Sequence, residues 1–330
     1  MNRAIRAIVI VIAATAIAAG GVVFWGNKTF DNPGPLKDDA VVIIPKGAGL
    51  RAIATALQDA GVIRFPALFI AKVKWTGAHR DLKAGEYAFK ALVSPAEALA
   101  TIREGRVVVH RITIPEGLTS HQVTKLIAAA LSLTGDIDAE VAEGAILPET
   151  YDYSHGDSRE DLIGRMVTAR EKRLAALWKT RAEGLPLANP EAAIVLASIV
   201  EKETADPNER PRVAAVFINR LRRGMRLQSD PTVVYALTGG TRTLGRRLTR
   251  TDLTIVNPYN TYLHKGLPPG PIANPGAASL QAVLQPAATK DLYFVADGTG
   301  GHAFAKTLRE HNRNVARWRR LQRKLRNSTK

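Results

Sequence analysis

The chain has 330 residues, 46% of them hydrophobic and 23% charged, which suits about two folded domains and excludes a disordered polymer. Cysteine is absent, so disulfides, thiolate nucleophiles and cysteine-ligated zinc are excluded. The formal charge is +16, but Thr307 to Lys330 alone carry nine basic residues against the single acid Glu310; half of the excess lies in one terminal segment, unlike a basic surface built to hold nucleic acid.

Ala7 to Trp25 is a run of 19 uncharged residues. As a helix it spans about 28 Å, the thickness of a bilayer's hydrocarbon. Arg3 and Arg6 precede it and only Lys28 follows closely. The positive-inside rule therefore predicts residues 1–6 in the cytoplasm and the bulk of the chain outside the plasma (inner) membrane. Trp25 falls at the far boundary, where an aromatic ring is favoured. Ala16-Ile17-Ala18 and Ala18-Ala19-Gly20 offer small-residue cleavage sites, so a signal peptide is the rival reading. The run continues through Val22, Val23, Phe24 and Trp25, longer than a signal needs, and favours an uncleaved anchor.

Residues 26–40, with Pro33, Gly34 and Pro35, read as a linker. Val41 to Ile44 reads as a strand. After Pro45-Lys46-Gly47, Leu50, Ile53, Ala54 and Leu57 recur at helical spacing up to Gly61. A helix over Pro66–Trp75, a strand over Gly85–Phe89, a helix over Ser94–Glu104 and a strand over Val107–Ile112 follow. Then Ile112-Thr113-Ile114-Pro115-Glu116-Gly117 precedes Val123, Leu126 and Ile127 at helical spacing. Ile-Pro-x-Gly before an amphipathic helix thus occurs twice. Residues 41–135 form a small α+β module whose strand–helix opening resembles LysM modules, which bind N-acetylglucosamine glycans. A packing module that positions the next domain fits the same pattern. Residues 136–189 connect onward through an amphipathic helix over Glu160–Lys179.

Asn189-Pro190 is a strong helix start, with asparagine as cap and proline at the first helical position. Ala192 to Val200 is apolar almost all round, as in a buried helix. It runs into Glu201-Lys202-Glu203-Thr204. Charged groups at the end of a buried helix require pairing or neutralisation. Glu201 and Glu203 point about 200° apart, so they are not a dyad. Glu201 lies over Ile194, Ala197 and Ser198. An apolar setting and a helix C-terminus both disfavour the anion, the setting of a general acid. An ion pair with an arginine is the alternative. Glu203 is expected nearer solvent, or paired with Arg210 or Arg220. Met225 to Thr232 reads as a polar loop. It and the loops around Asn257 and Gly266 concentrate amides, hydroxyls and aromatic faces, which suit a sugar. The histidines are scattered without metal-ligand spacing, so neither metal nor cofactor is expected.

Five segments carry a resemblance: Ala197-Ser198-Ile199-Val200-Glu201-Lys202-Glu203-Thr204, Val216-Phe217-Ile218-Asn219-Arg220-Leu221, Met225-Arg226-Leu227-Gln228-Ser229-Asp230-Pro231-Thr232-Val233, Asn257-Pro258-Tyr259-Asn260-Thr261-Tyr262 and Gly266-Leu267-Pro268-Pro269-Gly270-Pro271-Ile272. In this order they resemble the endolytic murein transglycosylases, the YceG-like family. Asp297-Gly298, Gly301-His302-Ala303-Phe304 and Glu310-His311-Asn312 resemble its C-terminal signature. Ala236 stands where a glycine is expected.

The resemblance implies an α+β chain: a transmembrane helix, the LysM-like module and a mixed helix/strand catalytic domain over 190–312. It implies a lyase that cuts the bond between N-acetylmuramic acid and N-acetylglucosamine in nascent peptidoglycan. The product ends in 1,6-anhydro-N-acetylmuramic acid, which limits strand growth. Cell-wall synthases are possible partners, and nucleic acid is not. Glu201 is assigned as acid and then base. Gln228, Asp230, Asn257, Asn260 and Tyr262 are candidate substrate contacts or supports. Asp230 suits either an oxocarbenium-stabilising carboxylate or an Asp-Pro turn. Asn219 and Arg220 are expected to organise the Glu201–Glu203 region, and His302 to order a hairpin. The basic segment 313–330 reads as a helix with Trp318, Leu321 and Leu325 on one face. It suits an anionic surface or plain solvent. A glycan-binding scaffold without catalysis is the competing function.

Overall fold

The computed structural model describes residues 3–328, with side chains described through Lys324; the face expected at Leu325 lies outside the described side chains. Helix α1 spans Arg3–Asp31. Its mean hydropathy of 2.6, over a window with none of its residues buried, makes it long and apolar enough to cross a membrane. It is also longer than the apolar run. The segment 26–31, expected as linker, is helical, and Gly26 and Phe30 are buried. The reason is tertiary. Phe30 packs 6.1 Å from the Phe69 ring, and burying a phenylalanine contributes about 2–3 kcal/mol. The remaining linker is also anchored. Leu36 is buried, and the N–H of Gly34 reaches the carbonyl oxygens of Leu92 and Val93.

Two compact units divide the chain: Met1–His110 with Asp152–Asp157, and Arg111–Tyr151 with Ser158–Lys330. The first unit is a strand–helix–helix–strand arrangement. Strand β1 (Ala40–Ile44) leads to α2 (Leu50–Asp59) and α3 (Pro66–Trp75), then to β2 (Gly85–Phe89) and α4 (Pro95–Glu104). β1 and β2 pair antiparallel, with Val42 opposite Tyr87. Val42 and Ile44 alternate inward to meet Ile53, Leu57, Phe69 and Tyr87 in one core. Ser94 and Glu97 form a reciprocal capping box that starts α4. The chain leaves this unit within β3 (Val109–Thr113) and returns to it within β4 (Thr150–Ser154). The second Ile-Pro-x-Gly segment therefore belongs to the second unit, apart from the first, so the expected 41–135 module does not match this division.

The second unit is built on helices. They are α5 (Ser120–Ala128), α6 (Arg159–Lys179), α7 (Pro190–Glu203), α8 (Arg210–Arg222), α9 (Asp230–Thr238) and α10 (Ala277–Leu284). An antiparallel hairpin of β5 (Tyr293–Ala296) and β6 (His302–Ala305) follows, then α11 (Leu308–Ser328). Asn189 caps α7 through the N–H of Ala192, with Pro190 in the first turn. Every residue from Ala193 to Val200 is buried. Ile194, Leu196, Val213, Phe217, Leu280 and Val283 belong to the core that joins α7, α8 and α10. Met225–Thr232 is not wholly a loop: Asp230 opens α9, with Pro231 in its first turn. Proline lacks the N–H that a first turn leaves unpaired anyway.

Candidate active site

The buried α7 delivers Glu201 to the site two residues before the helix ends. Its side chain is 6% exposed. The N–H of Gly276 donates to its Oε2 at 2.9 Å. Its Oε1 lies 3.6 Å from Nη2 of Arg210, which comes from the first turn of α8. The same Nη2 lies 3.6 Å from Oε2 of Glu116. Two carboxyls thus face one guanidinium. Arg210 is buried, and its Nε has no hydrogen-bond partner among the described residues. Burial raises the pKa of Glu116, the charge of Glu201 raises it further, and Arg210 partly offsets both.

A turn and a buried amide bring Glu116 there. Gly117 has φ +75°, and a Cβ at that position would lie 3.5 Å from Cγ of Glu201. Left-handed φ favours glycine. Gly117 donates its N–H to the carbonyl of Asn274 and accepts Nζ of Lys202 at 3.1 Å. Asn274 is fully buried. Its Oδ1 accepts the N–H of Ile146 at 2.9 Å, and its Nδ2 donates to the Leu118 carbonyl and to Oγ of Ser120, each at 3.1 Å. One side chain thus ties together the 117–120 turn, the 143–146 loop and the loop that ends at Gly276.

Glu203 points elsewhere. Oγ of Ser229 donates to its Oε1 at 2.5 Å. Its pKa is raised to about 7, first by burial and then by the charge of Asp230; the Ser229 hydrogen bond, His302 and Arg220 pull the other way. The solvent-facing Glu203 expected from sequence is corrected, because Ser229 and the start of α9 cover it. Of its two expected partners, Arg210 faces Glu201 instead, and Arg220 is near enough for its charge to lower the Glu203 pKa. Beside it, the Tyr262 hydroxyl donates to Oδ1 of Asp230 at 2.6 Å. Burial and Asp230 both raise the Tyr262 pKa. Gln228 is exposed and holds φ 50°, strain of about 1 kcal/mol or more for a residue that is not glycine. Its N–H donates to the Thr261 carbonyl, and the N–H of Ser229 donates to Oγ1 of Thr261.

The YceG-like family profile matches residues 42–317. The chain belongs to the YceG-like family. It is 30% identical over 333 residues to a Bacillus subtilis protein named endolytic murein transglycosylase, covering 89% of each chain. A Streptococcus pneumoniae protein of the same name is 29% identical over 354 residues. That match covers 91% of this chain and 63% of the relative, so the chain spans less than two thirds of the pneumococcal protein. The crystal structure of a yceG-like protein from Listeria monocytogenes is similar, with TM-score 0.51 and 32% identity, covering 84% of this chain and 99% of that one.

In this YceG-like protein the expected site residues separate into two sets. Gln228 and Asp230 are exposed at the start of α9. Near them, Lys202, Asp230, Tyr235, Arg242 and Ile272 line a cavity of about 380 Å³. Asn260 is buried, and its amide is spent on the carbonyls of Leu253 and Ile255 and on the N–H of Tyr262. Asn257 reaches the Ala236 carbonyl and the N–H of Tyr259. Asn219 donates to the carbonyls of Thr289 and Asp291, so it holds the approach to β5 and neither glutamate. Arg220 donates to the carbonyls of Leu292 and Leu227. Glu209 grips both the N–H and Nδ1 of His302, which ties the β5–β6 hairpin to α8. Trp318 and Leu321 of α11 pack against Gly298 in the same hairpin.

Sequence reasoning missed Glu116 and the placement of Arg210. The signal was present: the first Ile-Pro-x-Gly carries Lys46 where the second carries Glu116. A repeat that reverses charge at one position marks a place where the copies do different work.

Proposed function

We propose that this YceG-like protein is an endolytic lytic transglycosylase that cuts peptidoglycan glycan between N-acetylmuramic acid and N-acetylglucosamine. The carrying observation is the carboxyl of Glu201, set at the end of a buried helix and oriented by the Gly276 N–H. The names of the Bacillus and pneumococcal relatives support the same reading.

A hydrolase commonly sets two carboxyls across the scissile bond. Here Glu203 turns away toward Ser229, and an intramolecular transfer needs only one acid–base group. Glu201 protonates the glycosidic oxygen as the C1–O bond breaks. The resulting carboxylate takes the proton of the sugar's C6 hydroxyl, and O6 closes on C1. The strand then ends in a 1,6-anhydro ring, and Glu201 regains its proton without water. Orientation of one group and one bound ring supplies most of the rate.

Exposed Gln228 and Asp230, with Tyr262, are assigned to the glycan. Asn257, Asn260, Asn219 and Glu203 support the loops behind them. The strand–helix–helix–strand arrangement of the first unit supports a LysM-like glycan-binding role. Helix α1 anchors the protein in the inner membrane with residues 1–6 on the cytoplasmic side.

Digestion of purified peptidoglycan by wild type and Glu201→Gln, read by mass spectrometry, tests the reading. Wild type yields anhydro-ended muropeptides and the variant yields about a thousandth as much, the scale of losing a general acid. Equal yields remove Glu201 from its role, and reducing ends make the protein a hydrolase.

A further inference from the structure

The proposed reaction requires Glu201 to hold a proton before it meets the glycan, yet Glu201 faces a buried guanidinium. An isolated carboxyl–arginine pair is neutral when the carboxyl is ionised, and the acid has no reason to keep its proton. The second carboxyl changes that count. With Glu116 and Glu201 both ionised, the cluster carries one net negative charge around Arg210. With one proton on the pair it is neutral. Removing net charge from a largely enclosed site is favourable, so the charge of Glu116 opposes the pull of the guanidinium on the proton that the reaction needs.

We propose that Glu116 is a positioning residue of this site: by sharing Nη2 of Arg210 with Glu201, it keeps a proton in the carboxyl pair for delivery to the glycosidic oxygen. The inference rests on the transglycosylase reading and adds a residue to it. The geometry is direct. Both carboxyl oxygens lie 3.6 Å from the same nitrogen. Arg210 has 9% side-chain exposure, Glu201 has 6% and Glu116 has 42%. Glu116 is therefore the member open to solvent, where a proton can enter. Burial and the charge of Glu201 raise its pKa, and Arg210 partly offsets both.

The charged groups facing Glu116 are Glu201 from α7 and Arg210 from α8. Lys202 of α7 is turned to the Gly117 carbonyl. The turn before α10 presents Gly276, which has no side chain: a Cβ there would lie 1.8 Å from Oε1 of Glu116. Glu116 is thus packed onto backbone. It is not a free surface acid that happens to lie nearby.

The test compares pH–rate profiles of the full-length protein in detergent, scored by release of anhydro-ended muropeptides from purified peptidoglycan. Activity falls at high pH as the acid loses its proton. Glu116→Gln moves this falling limb toward acid by about one pH unit, the scale set by one neighbouring charge. It also lowers kcat at neutral pH by about tenfold, with KM within about twofold. Glu116→Asp restores the wild-type limb. Arg210→Gln moves the limb the other way, because the cation that favours ionisation is gone. Thermal unfolding accompanies each variant, and if one glutamine variant fails to unfold cooperatively, the other decides. A limb that coincides with wild type in the folded glutamine variants overturns the inference alone. A wild type that releases no anhydro ends at any pH overturns the transglycosylase reading, and this inference falls with it.

Discussion

The backbone N–H of Gly276 meets Oε2 of Glu201 at 2.9 Å, and a side chain at residue 276 would collide with Glu116 where that carboxyl now lies. A Cβ at residue 276 would lie 1.8 Å from Oε1 and 2.2 Å from Cδ of Glu116. The backbone there is ordinary, with φ −70°, so only crowding opposes a side chain. Glu116 is partly exposed and can swing away. Gly276→Ala is therefore expected to keep the fold, with the thermal midpoint within a few degrees of wild type. It opens the carboxyl cluster and lowers the yield of anhydro-ended muropeptides at least tenfold. Parallel melts and digests separate the two effects.

Asn274 carries the opposite expectation. It is fully buried, and its side chain hydrogen-bonds Ile146, Leu118 and Ser120. Asn274→Ala strands the Ile146 N–H in a dry interior, while the Leu118 carbonyl keeps the backbone N–H of residue 274; one unsatisfied buried group costs about 1–3 kcal/mol. A loss of roughly 1–3 kcal/mol follows, seen as a lower midpoint in urea titration with an unchanged slope. Activity falls with stability, because the side-chain tie between the 117–120 turn and the 143–146 loop is lost.

Asp230 and Asn260 make a matched pair. Asp230 is exposed beside the cavity and accepts a hydrogen bond from Tyr262, whereas Asn260 is buried among backbone groups. Asp230→Asn is expected to leave the melting curve in place and to raise KM for glycan strands. Asn260→Ala is expected to lower the melting midpoint by several degrees. If both variants change only stability, Asp230 has no part in glycan recognition.

Much of this was legible in residue order. Asn189-Pro190 marks the start of α7 because a capping amide and a first-turn proline act locally. Pro66 and Trp75 bound α3 as expected. The all-round apolar pattern from Ala193 to Val200 also told truly of burial. What could not be read was fixed by distant partners. Pro33, Gly34 and Pro35 signal a loop, but no local rule shows Phe30 lying on Phe69 and drawing residues 26–31 into α1. Glu116 lies 85 residues before Glu201 and arrives through the hydrogen bond from Gly117 to Asn274. Glu203 was expected near solvent because Ser229 and α9 are remote in sequence, yet they cover it.

That covering gives Glu203 a signature in stability. Its pKa is about 7 in the folded protein, against 4.5 for the free group, chiefly because burial disfavours its charge. The folded state therefore binds a proton that the unfolded state has already released between about pH 4.5 and 7. Stability contributed by this group is full below pH 4.5 and is lost as pH rises through 7. The size is at most about 3 kcal/mol. Glu203→Gln copies the protonated shape and cannot ionise. The variant is expected to lose less stability than wild type between pH 5 and pH 8, with the two curves closest at pH 5. Thermal melts of both proteins across that range measure the difference. Parallel curves would mean that Glu203 is ionised in the folded protein throughout, with Arg220 and His302 outweighing its burial.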